Sequence, residues 1–163
     1  MATKSLVGIL MGSDSDWPTM KKAAEACAEF GVGCDVRVMS AHRTPEDVAE
    51  FSRGAAGRGL KAIIAGAGGA AHLAGVVASF TTLPVIAVPI ETKLAGGLDS
   101  LLAMVQMPSG VPVATVAVGG ARNAGLLAVQ IIATGDAKLA EQLVTFKAKL
   151  AEESRAKNAK LQL

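Results

Sequence analysis

The chain has only two histidines, His42 and His72, and each stands in a loop marked by proline or glycine. Histidine changes charge most readily near neutral pH, so either could take and return a proton. His42 lies between Ala41 and Arg43, just ahead of Thr44-Pro45, where a helix should open. That place suits acid–base work, whereas His72, inside a glycine loop, is better placed to shape a pocket. Arg43 offers a planar fork of donors that matches a phosphate, and the amides at the start of the Pro45 helix lie close by. Paired with Glu46 or Asp47, it would instead be an ordinary surface arginine.

Two further loops carry polar or bare backbone groups. Ser13, Asp14, Ser15 and Asp16 bring hydroxyls that can reach a phosphate oxygen and carboxylates that can accept from ribose hydroxyls; helix capping alone would need only one of them. Gly66-Ala67-Gly68-Gly69-Ala70-Ala71-His72 should present backbone amides at a helix start with almost no side-chain bulk, a place for a carboxylate. The loop lacks the Gly-Lys-Ser/Thr of a Walker motif, and Ala71 occupies the last glycine position of GxGxxG, so a nucleoside triphosphate site is disfavoured.

The elements that must hold these loops follow from the apolar pattern. Residues 6–11 form a continuous apolar run that ends in the Ser/Asp loop, and a helical pattern follows from Pro18 to Phe30. The phrase recurs with a strand at 36–39, Thr44 as N-cap and a helix at 45–57, then with a strand at 62–65, the loop 66–70 and a helix to about Phe80. Runs 85–88 and 113–118 supply two more buried strands, followed by helices near 98–106 and 123–133. Such runs alternating with helices predict a parallel sheet covered on both faces, an α/β, three-layer, doubly wound, flavodoxin-like domain. Ligands then bind beyond the carboxyl ends of the strands, where the loops after the first three strands gather. Residues 1–163 should form one domain, and its last helix, within 136–163, is capped by Asp136. That helix puts Leu139, Leu143, Phe146 and Leu150 on one face, to pack on its own domain or on a neighbouring subunit.

Composition narrows the function. The formal net charge of +2 comes from scattered residues with no basic run, which argues against nucleic acid as a partner. Residues 62–90 contain no Asp, Glu, Lys or Arg, yet Gly66, Gly68, Gly69, Gly75, Pro84 and Pro89 would break a spanning helix, so no membrane contact is expected. Residues 6–11 are too short for a signal segment, and Cys27 and Cys34 read as reduced structural thiols; both point to the cytoplasm. A mean hydropathy of +0.43 needs an outlet. Segments 62–90 and 123–133 are expected to bury the excess in a homo-oligomer. A phospho-acceptor receiver would need a lysine after a late strand, and 115–121 has none. A flavin carrier would want aromatic stacking, and the chain has no tyrosine and 3% aromatics.

Four motifs in order, Gly12-Ser13-Asp14-Ser15-Asp16-Trp17, Ser40-Ala41-His42-Arg43-Thr44-Pro45, Gly66 to Leu73, and Asp99-Ser100-Leu101 with Val105-Gln106-Met107-Pro108, resemble the N5-carboxyaminoimidazole ribonucleotide mutases, the class I PurE family. The resemblance runs from about Val7 to Ala133. It implies an isomerase of purine synthesis that moves a carboxylate from the exocyclic nitrogen of the substrate to the neighbouring ring carbon, without ATP, metal or organic cofactor. It further implies Ser13 and Arg43 at the phosphate, Asp16 at the ribose, Ser40 among the substrate-binding residues, His42 in proton transfer, and Gly68, Gly69, Ala70 and His72 around the migrating carboxyl group. An octamer is implied as well. The related class II carboxylases, which use free carbon dioxide on the same fold, are the nearest alternative. Two positions depart from the family pattern: Ala74 stands where proline is usual, and 119–123 is shorter, with an added arginine at Arg122.

Overall fold

Five parallel strands in the order β2-β1-β3-β4-β5 make one sheet in the computed structural model, which describes residues 4–161. The strands are β1 (Ser5–Met11), β2 (Gly33–Val38), β3 (Ala62–Ala67), β4 (Val85–Pro89) and β5 (Ala114–Thr115). Between them run α1 (Trp17–Glu29), α2 (Pro45–Gly54), α3 (Leu73–Phe80) and α4 (Leu98–Val105), and α5 (Ala121–Ala133) and α6 (Ala137–Ala156) close the chain. This is the doubly wound, flavodoxin-like arrangement that the alternating pattern predicts. β1 lies between β2 and β3, so successive crossovers leave it in opposite directions and open a crevice at its carboxyl end.

The central strands are buried on both faces, every residue of β3 and β4 included. One face packs Val7, Ile9, Ile64 and Ile86 against Met20, Ala23, Ala124 and Ala128 of α1 and α5. The other packs Leu10, Ile63 and Ala87 against Val48, Phe51 and Val77 of α2 and α3, with Met104 of α4. At ~25 cal/mol per Å² of apolar surface removed from water, these two layers are the main force that seats the loops. Gly125 lets α5 approach α1 closely: a Cβ there would lie 2.9 Å from Ala26 Cβ and 3.1 Å from Ala23 Cα.

Several boundaries differ from expectation for physical reasons. β3 runs two residues further than the Val/Ile run, because Gly66 and Ala67 still pair with Val88 and Pro89. β5 keeps only two ladder residues where a buried strand over 113–118 was expected. It is the sheet edge, and it follows β4 through separate bonds from the Val116 amide to the Ala87 carbonyl, 3.0 Å, and from the Gly119 amide to the Pro89 carbonyl, 2.9 Å. With no strand beyond it, its residues are half-buried or exposed. Thr44 does occupy the N-cap of α2, but its hydroxyl makes no cap bond. It accepts from the Ser40 amide at 3.0 Å and donates to the Ser40 carbonyl at 3.2 Å, closing the turn that carries His42 and Arg43.

Asp136 caps α6 as expected, accepting from the amides of Lys138 and Leu139 at 3.0 and 3.1 Å. Leu139, Leu143 and Phe146 pack on the domain's own core, and the Phe146 ring meets Phe30 edge-on at 5.5 Å. Leu150 stays 48% exposed. Ala74 is fully buried in the first turn of α3. Arg122 has a role of its own: its guanidinium grips Glu29 in a two-point pair and ties α5 to the end of α1. Both cysteines are free.

Candidate active site

The first, second and third loops meet a fourth at the carboxyl end of the sheet, around a cleft of about 300 Å³. Gly12, Ser13, Ser15 and Asp16 line it from the end of β1, Ser40 to Arg43 from the end of β2, Ala67, Gly68 and Ala70 from β3, and Ile90 and Glu91 from β4. Chain continuity sets the entry of each loop: the Gly12 amide bonds the Gly66 carbonyl and the Met39 amide bonds the Met11 carbonyl, so the ladders extend one step into the loops.

Asp16 stands at the N-cap position of α1, yet its carboxylate makes no capping bond and turns to the cleft instead. Ser13 caps the short 3-10 turn before it, accepting from the Ser15 amide at 3.3 Å and from the Ser15 hydroxyl at 2.8 Å. Burial pushes the Asp16 carboxyl above its ordinary range, against a lowering bond from the Ser13 backbone and with Asp14 nearby. A half-buried carboxylate with no partner of opposite charge among the described residues is kept at a cost, and such groups concentrate at functional sites.

Arg43 makes no ion pair with Glu46 or Asp47. Its Nη2 donates to the Gly12 carbonyl at 2.8 Å and its Nε to Ser40 Oγ at 3.3 Å, so it straps the second loop to the first. Ser40 Oγ also receives the Arg43 amide at 3.2 Å. The guanidinium and Ser13 thus line one cleft, and Arg43 Nη1 has no protein acceptor among the described residues, a donor open to an anionic ligand.

His42 and His72 converge. His42 Nε2 lies 3.0 Å from His72 Nδ1, with the rings at 82°. His72 and Gly69 are the two expected site residues that do not line the cleft. His72 reaches it through His42, and Gly69, at φ +66, turns its amide away to Ser100 Oγ at 2.9 Å. The glycine loop is also less open than its sequence suggests: the Ala71 and His72 amides bond the Gly69 and Ala70 carbonyls. The Gly68 and Ala70 amides have no acceptor among the described residues, and both residues line the cleft.

Two residues had no role assigned from sequence, Glu91, which was not singled out, and Ser100, which entered only within the Asp99-Ser100-Leu101 motif. Glu91 brings a second carboxylate to the wall, and the signal was its position as the first polar residue past the fourth apolar run. Ser100 is fully buried behind the glycine loop, and no periodicity marks it. Among the described residues no group of His, Cys, Asp and Glu could hold a metal ion.

The AIR carboxylase family model matches residues 6–153. The chain belongs to the AIR carboxylase family. Within that family it is 58% identical over 162 residues to the N5-carboxyaminoimidazole ribonucleotide mutase of Mycobacterium leprae, covering 99% of this chain and 95% of that one. It is 60% identical over 140 residues to the mutase of Aquifex aeolicus, covering 86% and 84%. The crystal structure of Treponema denticola PurE superposes with a TM-score of 0.88 at 32% identity, over 98% of this chain and 99% of that one. The AIR carboxylase fold therefore extends across almost all of the chain, α6 included.

Proposed function

We propose that this chain is an isomerase that interconverts N5-carboxyaminoimidazole ribonucleotide and 4-carboxy-5-aminoimidazole ribonucleotide in purine synthesis. The observation that carries the reading is the meeting of Arg43, Asp16, His42 and the Gly68–Ala70 loop in one cleft, on a chain whose relatives bear that enzyme's name at 58–60% identity. Those names are of mutases, so a carboxylase fed by free carbon dioxide is not favoured, and neither is a non-enzymatic carrier.

Each group has a task that its position supports. Ser13, Arg43 and Ser40 take the phosphate, and Asp16 accepts from the ribose hydroxyls. The bond from the exocyclic nitrogen to the carboxylate carbon breaks, its electron pair stays on nitrogen, and nitrogen takes a proton from His42. The carbon dioxide released is held by the glycine loop while the ring carbon attacks it, and His42 then removes the ring proton. Atoms and charge balance with no cofactor, because one proton and one carboxylate exchange places. Rate comes from holding the reactants together, worth up to ~7–11 kcal/mol for well-oriented partners, and from a general acid–base worth about 10²–10⁴-fold.

The protein assembles as a homo-oligomer, an octamer in this reading, and acts in the cytoplasm; among the described residues no helix is long and apolar enough to cross a membrane. The support for assembly is exposed apolar surface on α4, outside the 62–90 and 123–133 segments expected to supply it. Segment 62–90 is largely the domain's own core, whereas Leu98, Leu102 and Val105 form an outward stripe on α4, each nearly half exposed. Supplying purified protein with N5-carboxyaminoimidazole ribonucleotide, or with aminoimidazole ribonucleotide and bicarbonate, tests the reading: the first should give product at a far higher rate, and turnover of the second alone would refute it.

A further inference from the structure

We propose that Ser100 is a positioning residue for the transfer step, holding the glycine loop in the shape that retains carbon dioxide; the inference rests on the mutase reading above. Ser100 is fully buried in the first turn of α4, and its Oγ accepts from the Gly69 amide at 2.9 Å. Gly69 sits in the left-handed region at φ +66, so the direction of its amide is set by that one acceptor. The neighbours on either side, Gly68 and Ala70, are the ones that line the cleft.

Ser100 is itself held. Its amide donates to Asp99 Oδ1 at 2.9 Å, and the same oxygen accepts from Thr92 Oγ1 at 2.6 Å. Thr92 follows Glu91, which lines the cleft from the end of β4. Thr92, Asp99, Ser100 and Gly69 thus form one hydrogen-bonded clamp across the loops after β3 and β4. None of the three polar side chains lines the cleft, so the clamp acts through the loops.

The consequence is specific to a reaction with a small free intermediate. With the Ser100 hydroxyl gone, the half-buried Gly69 amide loses its acceptor, and the peptide before it can turn to find another. Gly68 and Ala70 then lose their alignment at the moment when carbon dioxide is bound only by its surroundings. Carbon dioxide that escapes leaves the protonated exocyclic amine behind, so the products become aminoimidazole ribonucleotide and carbon dioxide instead of the carboxylated ring. The phosphate and ribose contacts, made by other loops, are untouched.

The test is the partition of N5-carboxyaminoimidazole ribonucleotide between the two products. Ser100→Ala should raise the share lost as amine and carbon dioxide, and lower kcat, by about tenfold each, with KM within about twofold. Ser100→Thr, which keeps the oxygen, should restore much of the partition. Thr92→Val, which cuts the clamp at a half-exposed hydroxyl, should shift it in the same direction by less. Wild-type partition in Ser100→Ala, or a loss of kcat that only follows the folded fraction, overturns the proposal. If Ser100→Ala fails to fold, an unchanged partition in Thr92→Val overturns it. A wild-type protein that forms no carboxylated product overturns the mutase reading instead.

Discussion

His42 Nε2 and His72 Nδ1 are 3.0 Å apart, and a hydrogen bond between two imidazole nitrogens needs one to donate and the other to accept. The pair therefore holds a proton between its members. Substrate must engage His42 through Nδ1 or by displacing His72, so the two rings have unequal duties. Replacing His42 by Asn keeps a polar side chain and removes the acid–base function. Turnover should fall by about a hundredfold or more, and the Kd of the product ribonucleotide should stay within about tenfold. His72→Asn should cost less than His42→Asn, because it removes the partner and leaves the acid–base group. Steady-state kinetics with a binding titration decide it, and near wild-type turnover in His42→Asn would remove the assignment.

Arg43 reads the phosphate and straps two loops, so the nucleotide and the nucleoside separate its tasks. Arg43→Ala should weaken product nucleotide binding by about 10–100-fold, the worth of a charge-assisted contact, and the dephosphorylated nucleoside by much less. Equal losses measured by calorimetry would mean that only the strap to Gly12 matters.

Asp16 gives a pH-dependent signature in stability. Burial raises its carboxyl in the folded chain above the unfolded value, so folding binds the proton more tightly, and ionised Asp16 costs stability at neutral pH. That cost disappears as pH falls through the folded and then the unfolded value, about 3.9 for an ordinary Asp. Asp16→Asn should therefore raise Tm at pH 7, and its advantage over wild type should shrink towards pH 4, while nucleotide binding weakens. A Tm difference independent of pH would contradict the account.

How far the sequence could be read depended on whether a feature was carried by pattern or by pairing. The parallel, doubly wound sheet and the crevice beyond its strand ends followed from apolar runs alternating with helices, because burial on both faces dictates composition. The reach of β3 through Ala67 did not, since Gly66 and Ala67 pair with β4 by backbone bonds that any residue can make. The shrinkage of β5 to Ala114–Thr115 was hidden for the opposite reason: Val113 to Val118 has the composition of a core strand but lies at an edge. At the site, His42, Arg43, Asp16 and Ser13 were legible from residue type and loop position. The contact of His42 with His72, 30 residues apart in sequence, and the bond of Ser100 to Gly69, 31 apart, depend on the packed fold.

Assembly should depend on α4. Leu102→Glu places a charge in the middle of the outward stripe formed with Leu98 and Val105, and burying an unpaired charge is costly enough to disrupt such an interface. Sedimentation should show the wild type as an oligomer and Leu102→Glu shifted to smaller species, with the far-ultraviolet spectrum retained. A wild type that is a stable monomer at micromolar concentration would contradict the assembly.

A mutase moves the carboxylate within one bound substrate. N5-carboxyaminoimidazole ribonucleotide labelled with carbon-13 in its carboxylate, incubated with the protein in excess unlabelled bicarbonate, tests it directly by mass spectrometry of the product. Carboxylated product should keep the label. Product carrying unlabelled carbon, or product that forms only when bicarbonate is added, would contradict it.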